Sequence, residues 1–263
     1  MRVFKFLNPL LFILMLSASV IIFQSCENAC IHGSGSTVTE TRTLESFSEI
    51  SFSSEGTVYI SQGPTVSFTV EAQQNVIDDL KTEIHGNELQ IYNKHCLKDQ
   101  SPVIIHVTTP NITSVSLSGT GEMITQGKII TDNFDFNVSG TGSIETQDTV
   151  FAANMSNNNS GTGIINLLAV STSMNSTISG SGETTVAGVS NSQSINISGS
   201  GNFHGFNFIT DDASITISGS GNAEVYANKS LDVNISGSGN VYYKGFPAIS
   251  VHISGSGGVI NSN

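Results

Sequence analysis

The sequence predicts an all-β protein whose body is a parallel β-helix, or β-solenoid, with rungs of about 18–21 residues. Three observations predict it: a glycine motif recurs eight times, apolar and polar residues alternate before each copy, and the composition is rich in Gly, Ser, Thr and Asn. Gly, Ser and Asn are poor helix formers, whereas Val, Ile, Thr and Phe pack well on sheets.

The glycine motif sets the period of the repeat. Ser-Gly-Thr-Gly occurs three times and Ser-Gly-Ser-Gly five times, at spacings of 21, 21, 19, 19, 20, 18 and 18 residues; the motif serines are Ser118, Ser139, Ser160, Ser179, Ser198, Ser218, Ser236 and Ser254. One such motif would carry little weight, but eight in near register indicate stacked repeats. A β-propeller is the main rival fold, but a blade needs about forty residues and nothing in the spacing pairs the copies in twos.

The residues one and three places before each motif serine are mostly apolar, and the residue between them is polar, as in Ile195-Asn196-Ile197. This period of two indicates a strand with one buried face. Stacked rungs about 4.8 Å apart, in a right-handed coil, would bury these faces together. Asn157, Asn159 and Ser176 break the apolar pattern. Either the register slips there, or a buried Asn ladder satisfies itself between rungs.

The motif glycines are predicted to stack at one corner of the solenoid. Either a positive φ or a close approach of neighbouring backbones would exclude a Cβ there. A phosphate-binding glycine loop would instead need a strand-to-helix context and usually a Lys, and the sequence has neither.

The N-terminus resembles a bacterial export signal. Arg2 and Lys5 precede an apolar run that ends at Phe23, and Ser25-Cys26 resembles a lipobox. Cys26 is therefore the predicted lipidation site, which would anchor the protein to the membrane; ordinary cleavage, with Cys26 a plain thiol, is the alternative. The predicted parts are a lipoprotein signal peptide (1–25), a lipid anchor and tether (26–46), an N-terminal β region that opens the solenoid or covers its first rung (47–110), and the repeat solenoid (111–263).

Charge and cysteine content narrow the partners. Loss of residues 1–25 removes two basic and no acidic residues, so the net charge changes from −12 to −14. Nucleic acid is excluded as a partner because it needs clustered Lys and Arg. We interpret the acidity as favouring solubility rather than as an acidic binding surface. Cys30 and Cys96 remain for a possible disulfide, which an oxidising periplasm or cell surface would permit.

The sequence offers no catalytic or metal site. Polysaccharide-degrading enzymes need carboxylates that share a groove, and the two acidic doublets, Asp78-Asp79 and Asp211-Asp212, are predicted to be solvated in loops. The histidines show no paired metal-ligand spacing, so neither a metal nor a cofactor is predicted. Asp148-Thr149-Val150 resembles a bacterial O-glycosylation site, with Thr149 as the acceptor.

The sequence resembles the head GIN domain family of putative auto-transporter adhesins. The resemblance rests on Phe47 to Ile50, on Ile84 to Ile91, on Val107 to Pro110 and on the serial glycine turns. It implies an all-β envelope protein, often lipid-anchored, with a proposed role in adhesion and no catalytic motif. We therefore predict a non-enzymatic binding, adhesion or scaffold protein; a polysaccharide-degrading enzyme on a β-helix is the alternative.

The predicted location is the cell envelope, as an outer-membrane lipoprotein that faces either the periplasm or the cell surface. The ligand would be an unidentified glycan or protein. The strand near Ile260 has no following helix in the sequence to cover the last rung. An uncovered rung would allow end-to-end self-association or a docked partner, with a swapped tail as the alternative.

Overall fold

The computed structural model describes residues 30–263. It is 64% strand, and the strands coil into a β-solenoid of about 7 turns, which confirms the predicted fold class. The right-handed sense of the coil stays a prediction. Nineteen of the described strands form one sheet, and two more form a small separate sheet.

The strands in chain order are β1 (Ile31–His32), β2 (Thr37–Thr41), β3 (Glu49–Phe52), β4 (Thr57–Gln62), β5 (Ser67–Gln73), β6 (Leu80–His85), β7 (Glu88–Asn93), β8 (Leu97–Lys98), β9 (Ile104–Thr109), β10 (Ser114–Leu117), β11 (Glu122–Gln126), β12 (Ile129–Val138), β13 (Ser143–Thr146), β14 (Val150–Asn159), β15 (Ile164–Ile178), β16 (Glu183–Ile197), β17 (Asn202–Ile217), β18 (Ala223–Ile235), β19 (Val241–Lys244), β20 (Ala248–Ile253) and β21 (Val259–Asn261). The helix α1 (Gln74–Asp79) lies between β5 and β6.

Successive repeats pair in parallel, each residue opposite its equivalent in the next rung. β15 and β16, for example, pair from Ile164 opposite Glu183 to Ile178 opposite Ile197. Each rung contains a strand segment before the glycine corner, a second after it, and a third that leads to the next rung. The stacking turns a repeat in sequence into continuous columns of like positions.

The glycine corner is explained by close backbone approach. The motif glycines do not have positive φ. A Cβ on Gly199 would lie 2.0 Å from the carbonyl oxygen of Gly180, and one on Gly219 would lie 2.0 Å from that of Gly199. Only glycine lets the rungs approach this closely, because a side chain would collide with the carbonyl of the rung beneath.

The interior columns lie where the sequence predicts them. Ile195, Ile215 and Val233 stack in one buried column, and their neighbours two residues later stack in another. The column reaches Val251 on β20, which is 45% exposed because no further described rung covers it. The stack is therefore well packed in its middle and open at its C-terminal end.

The polar residues in the middle rungs keep the register. Asn157 pairs with Phe136 on one side and with Ser176 on the other, as the unbroken repeat requires. The buried Asn157 Nδ2 donates to Ser176 Oγ at 2.7 Å, and Asn159 Nδ2 donates to the carbonyl of Gly163 at 2.8 Å. Of the two predicted alternatives, the slipped register is therefore wrong. The self-satisfied Asn ladder is found only in part, because the buried Oδ1 atoms of Asn157 and Asn159 accept no hydrogen bond from the described residues.

The N-terminal region forms the first rung and also covers it. β3 and β4 pair with β10 and β11 on one side and with β7 and β9 on the other. The chain thus returns to the far side of its first rung before the repeats begin. The antiparallel strands β5 and β6 extend this end, and α1 packs Val76 and Ile77 into the core.

The tether predicted for residues 26–46 is wrong for its described part, residues 30–46. β1 pairs with β8, and β2 pairs antiparallel with β5. The Arg42 guanidinium donates to the carbonyls of Leu80 at 2.9 Å and Ile77 at 3.0 Å. These carbonyls lie at the end of α1, where a basic side chain stabilises the backbone acceptors; the Ile77 carbonyl also accepts the N–H of Leu80. The segment is therefore part of the folded body.

Candidate functional site

A column of apolar side chains runs along the outside of the solenoid, on the third segment of each rung. We call it the outer ladder; it consists of Ile130, Phe151, Val170, Val189, Ile209 and Tyr226, each paired with the next. Ile130 is 59% exposed, Val189 45% and Ile209 42%. Most of the inward neighbours of these residues, such as Ile129 and Phe208, are buried in the core. We take the exposed row as a candidate interaction surface.

A lysine lies at each end of the outer ladder. The Lys128 Nζ sits 4.1 Å from the centre of the Phe151 ring. Lys244 follows Tyr226 on the next rung, and its Nζ is 4.5 Å from the centre of the Phe206 ring. Within residues 30–263, neither lysine forms a salt bridge, whereas Lys229 is paired with Asp211 at 2.9 Å. Both ladder lysines are therefore available to an anionic group.

The outer ladder is long and narrow. Its six residues span five rung steps, about 24 Å at about 4.8 Å per step. Its width is about 7 Å, because the next outward residue on a strand is two positions away at about 3.3 Å per residue. It is wider beside Val170 and Val189, where the exposed Leu168 and its partner Ala187 lie two positions earlier. A shallow depression of about 290 Å³ lies at the Lys128 end, lined by Ile130, Phe151 and Val170. The shape suits an extended ligand rather than a rounded one.

The C-terminal rung is a second exposed apolar surface. Ile249, Val251 and Ile253 of β20 are 44%, 45% and 38% exposed, and Phe246 in the preceding turn is 91% exposed. On their outer side, β20 and β21 pair with no other described strand. Unpaired backbone groups and apolar side chains occur together at this edge, which can accept another strand.

A third candidate lies beside the N-terminal cover, where a cavity of about 330 Å³ is lined by residues that include Ser54, Glu55, Lys94 and His95. The buried Asp79 accepts a hydrogen bond from His95 Nδ1 at 2.6 Å. Burial raises the pKa of the Asp79 carboxyl, but hydrogen bonds from the side chain and backbone of His95 and from Asn93 outweigh burial, so this pKa lies below its usual value.

The Asp79–His95 pair serves to fix the structure. Asp79 ends α1 and His95 follows β7, so the pair joins the helix to the strand that covers the first rung. Ser54 Oγ donates to Asn93 Oδ1 at 2.7 Å and is engaged away from His95. The prediction that Asp78 and Asp79 are solvated in a loop is wrong, because both lie in α1 and the Asp79 carboxylate is buried and hydrogen-bonded. Asp78 is exposed, but on the helix.

The second acidic doublet lies on the surface. Asp211 is paired with Lys229, and Asp212 accepts a hydrogen bond from Ser230 Oγ at 2.5 Å. Among residues 30–263, no group of three or more His, Cys, Asp and Glu side chains could hold a metal ion. The same stretch includes no helix long and apolar enough to cross a membrane.

The predicted modification residues are found in three different situations. Cys26 lies outside the described residues. Cys30 and Cys96 are joined by a disulfide, with their Cα atoms 4.4 Å apart, next to the pairing of β1 with β8. Thr149 is partly exposed in the turn between β13 and β14, where its backbone N–H donates to Asp148 Oδ1 at 2.7 Å. O-glycosylation of Thr149 stays a prediction.

The outer ladder is the surface that the sequence analysis missed. A signal for it does exist: two apolar residues in succession recur at the repeat spacing, as in Ile129-Ile130 and Val150-Phe151. In a strand, successive side chains point to opposite faces, so one member of each pair must face outward.

Comparison with known proteins identifies relatives of this fold. The model of a family described as "Putative auto-transporter adhesin, head GIN domain" matches residues 46–247. A solved structure of a putative lipid binding protein from Parabacteroides distasonis is 28% identical, with a TM-score of 0.84, and the match covers 89% of this chain and 99% of that one.

Two putative adhesins share the fold at lower identity. The one from Parabacteroides merdae is 20% identical, with a TM-score of 0.85, over 89% of this chain and 100% of that one. The one from Bacteroides fragilis is 20% identical, with a TM-score of 0.68, over 88% of this chain and 100% of that one. At this identity the likeness concerns the fold alone. A comparison with curated proteins gave no match.

Proposed function

Because the chain belongs to the putative auto-transporter adhesin, head GIN domain family, we propose that it is a non-enzymatic binding protein of the bacterial envelope, acting in adhesion or as a scaffold. We further propose that it contacts its partner through the outer ladder. The observation that carries the proposal is the exposure of Ile130, Val189 and Ile209 in one straight column. Exposing apolar side chains to water costs free energy, and this free energy is recovered when a partner covers them.

The binding proposal is tested with immobilised mucin, which offers both glycan and protein. The full mature chain and its Val189→Ser/Ile209→Ser variant are compared for retention on the mucin surface. The matched control is Thr177→Ser/Thr216→Ser, which alters partly exposed residues on the strand segments before the glycine corner. We expect the ladder variant to lose at least fivefold in retention and the control to keep it. Equal retention of all three proteins would contradict the use of the ladder.

The enzymatic alternative makes a different prediction. A polysaccharide-degrading enzyme would release reducing sugar from mucin or from cell-wall glycan, and a binding protein would not. Each acidic doublet has its own local partners. Asp212 and Asp232 line one depression of about 300 Å³, so the assay of sugar release decides between the two functions. Sugar release by the purified chain would overturn the non-enzymatic assignment.

Anchorage by Cys26 is part of the proposal and is tested separately. Cells that express the full chain are labelled with an alkyne analogue of palmitate, and the Cys26→Ser variant serves as the control. We expect label on the wild type and none on the variant. Protease treatment of whole cells then distinguishes a body that faces the outside from one that faces the periplasm.

A lipid ligand is a second candidate function. The outer ladder favours it, because a long and narrow apolar row matches a hydrocarbon chain. It is also supported by the 28% identical relative from Parabacteroides distasonis, whose name describes a putative lipid binding protein.

A further inference from the structure

We propose that the outer ladder binds one long-chain fatty acid anion, with the carboxylate at Lys128 and the chain lying along Phe151, Val170 and Val189. This inference rests on the proposed function, because it assigns a ligand class to the same ladder. The geometry, the local charge and the area of the ladder each point to this occupant.

The area of the ladder argues against a protein partner on this row alone. About 24 Å by about 7 Å gives roughly 170 Å². A stable protein interface buries about 800 Å² on each partner. On one flank, the residues two positions further along the strands include Asp132, Thr172 and Asn191, which are polar. On the other flank, the exposed Leu168 and its partner Ala187 widen the apolar row beside Val170 and Val189. A single hydrocarbon chain can contact the whole row, whereas a second copy of this protein would need an interface several times larger than the row.

The length of the ladder suits an acyl chain. One leaflet of a bilayer accounts for half of a hydrocarbon core of about 30 Å, so the chain of an ordinary lipid spans about 15 Å there. The ladder, at about 24 Å, is long enough to hold such a chain in an extended form. Its residues repeat once per rung, so the chain meets an apolar side chain at every step.

Charge places the anionic end at Lys128. The chain after residue 25 has only seven basic residues among 21 acidic ones. Lys128 is one of the seven, and its ammonium lies over the Phe151 ring, beside the depression that Ile130 helps to line. An ammonium in contact with an aromatic ring and free of a carboxylate partner can pair with the fatty acid carboxylate.

A free fatty acid fits better than the surface of a membrane. A bilayer would need a broad apolar face, and the ladder is at most two side chains wide, where Leu168 and Ala187 lie beside it. We therefore expect the occupant to be a single fatty acid molecule in solution and not part of a bilayer.

The test uses cis-parinaric acid, a long-chain fatty acid whose fluorescence rises in an apolar site, titrated into the full mature chain. Its methyl ester has the same chain without the charge, and hexanoic acid has the charge without the long chain. We expect Val189→Ser to lower the affinity for the acid about fivefold through lost apolar contact. Lys128→Gln should lower it about threefold, as for an exposed ion pair, and leave the affinity for the ester unchanged. Lys98→Gln, on the distant strand β8, is the charge control.

Several outcomes would overturn the inference. They are equal binding of the acid and its methyl ester, displacement of the probe by hexanoic acid, a loss of affinity confined to Lys244→Gln, and no binding at all. If the wild type binds no probe but sediments as a dimer, and Val189→Ser sediments as a monomer, the ladder would be an interface between two copies of this chain. If the ladder variant loses retention on mucin but the wild type binds no probe, the proposed function would stand and the fatty acid ligand would be rejected.

Discussion

Alanine at Gly199 will destabilise the solenoid, because the glycine corner has no room for a Cβ. The added carbon would lie 2.0 Å from the Gly180 carbonyl oxygen, about 1 Å inside the 3.0 Å below which such contacts essentially never occur. The obstacle is backbone, so no side chain can rotate away. The rungs must separate locally, and overpacking of this kind costs about 1–3 kcal/mol.

Separation also weakens hydrogen bonds at the same corner. The Gly180 carbonyl accepts the N–H of Ser200 at 3.0 Å and that of Gly201 at 3.2 Å. Loss of one such bond costs about 1 kcal/mol. We therefore expect Gly199→Ala to lower the free energy of unfolding by about 3 kcal/mol.

Urea unfolding followed by circular dichroism measures this change. Gly258→Ala is the matched control, because its Cβ would meet only the Asn240 side chain, at an ordinary 3.5 Å, and its φ is not positive. We expect the control to change the free energy of unfolding by less than about 0.5 kcal/mol. A Gly199→Ala variant as stable as the control would refute the close-approach account of the corner.

Three further predictions concern the core and the N-terminal cover. Ser176→Ala should destabilise by about 1 kcal/mol because it leaves the buried Asn157 Nδ2 with only the weak acceptor Met174 Sδ at 3.5 Å. Asn157→Val/Ser176→Ala should be neutral or stabilising in urea unfolding. Folding lowers the pKa of the Asp79 carboxyl. The stabilisation that the ionised carboxyl contributes is therefore present above its ordinary pKa of 3.8 and is lost as the pH falls through the lower folded value. The difference in urea midpoint between wild type and Asp79→Asn should shrink below pH 3.8. Cys30→Ser/Cys96→Ser removes a link across 66 residues and should cost up to about 4 kcal/mol in thermal or urea unfolding. Reduction of the wild type should release two free thiols beyond any that Cys26 contributes.

Each of these has a contradicting result. A Ser176→Ala variant as stable as wild type would mean that the Asn157 hydrogen bond contributes nothing. A difference between wild type and Asp79→Asn that grows as the pH falls would reverse the sign derived from the lowered pKa. More than one free thiol per unreduced wild-type chain would exclude the disulfide between Cys30 and Cys96 in the purified protein, because Cys26 accounts for at most one.

The sequence by itself determined the rung, the corner and the inner columns. Parallel stacking places each residue beside its equivalent in the next repeat, so the period read along the chain is also the pattern of contacts in space. Even where Asn157 interrupts the apolar column, the register continues, because the neighbouring positions of the same rung remain matched. For this reason the repeat predicts the middle of the molecule better than its ends.

Only the tertiary structure decided the cover of the first rung, the environment of Asp79 and the outer ladder. Residues 47–110 do not repeat, and their pairings join strands whose order in the stack differs from their order in the chain, so no local pattern reveals them. The ladder could be found only once the bend of each rung was known, because the bend decides which member of an apolar pair such as Ile129-Ile130 enters the core. Ile129 is buried and Ile130 is 59% exposed, and that difference between adjacent isoleucines defines the candidate binding surface.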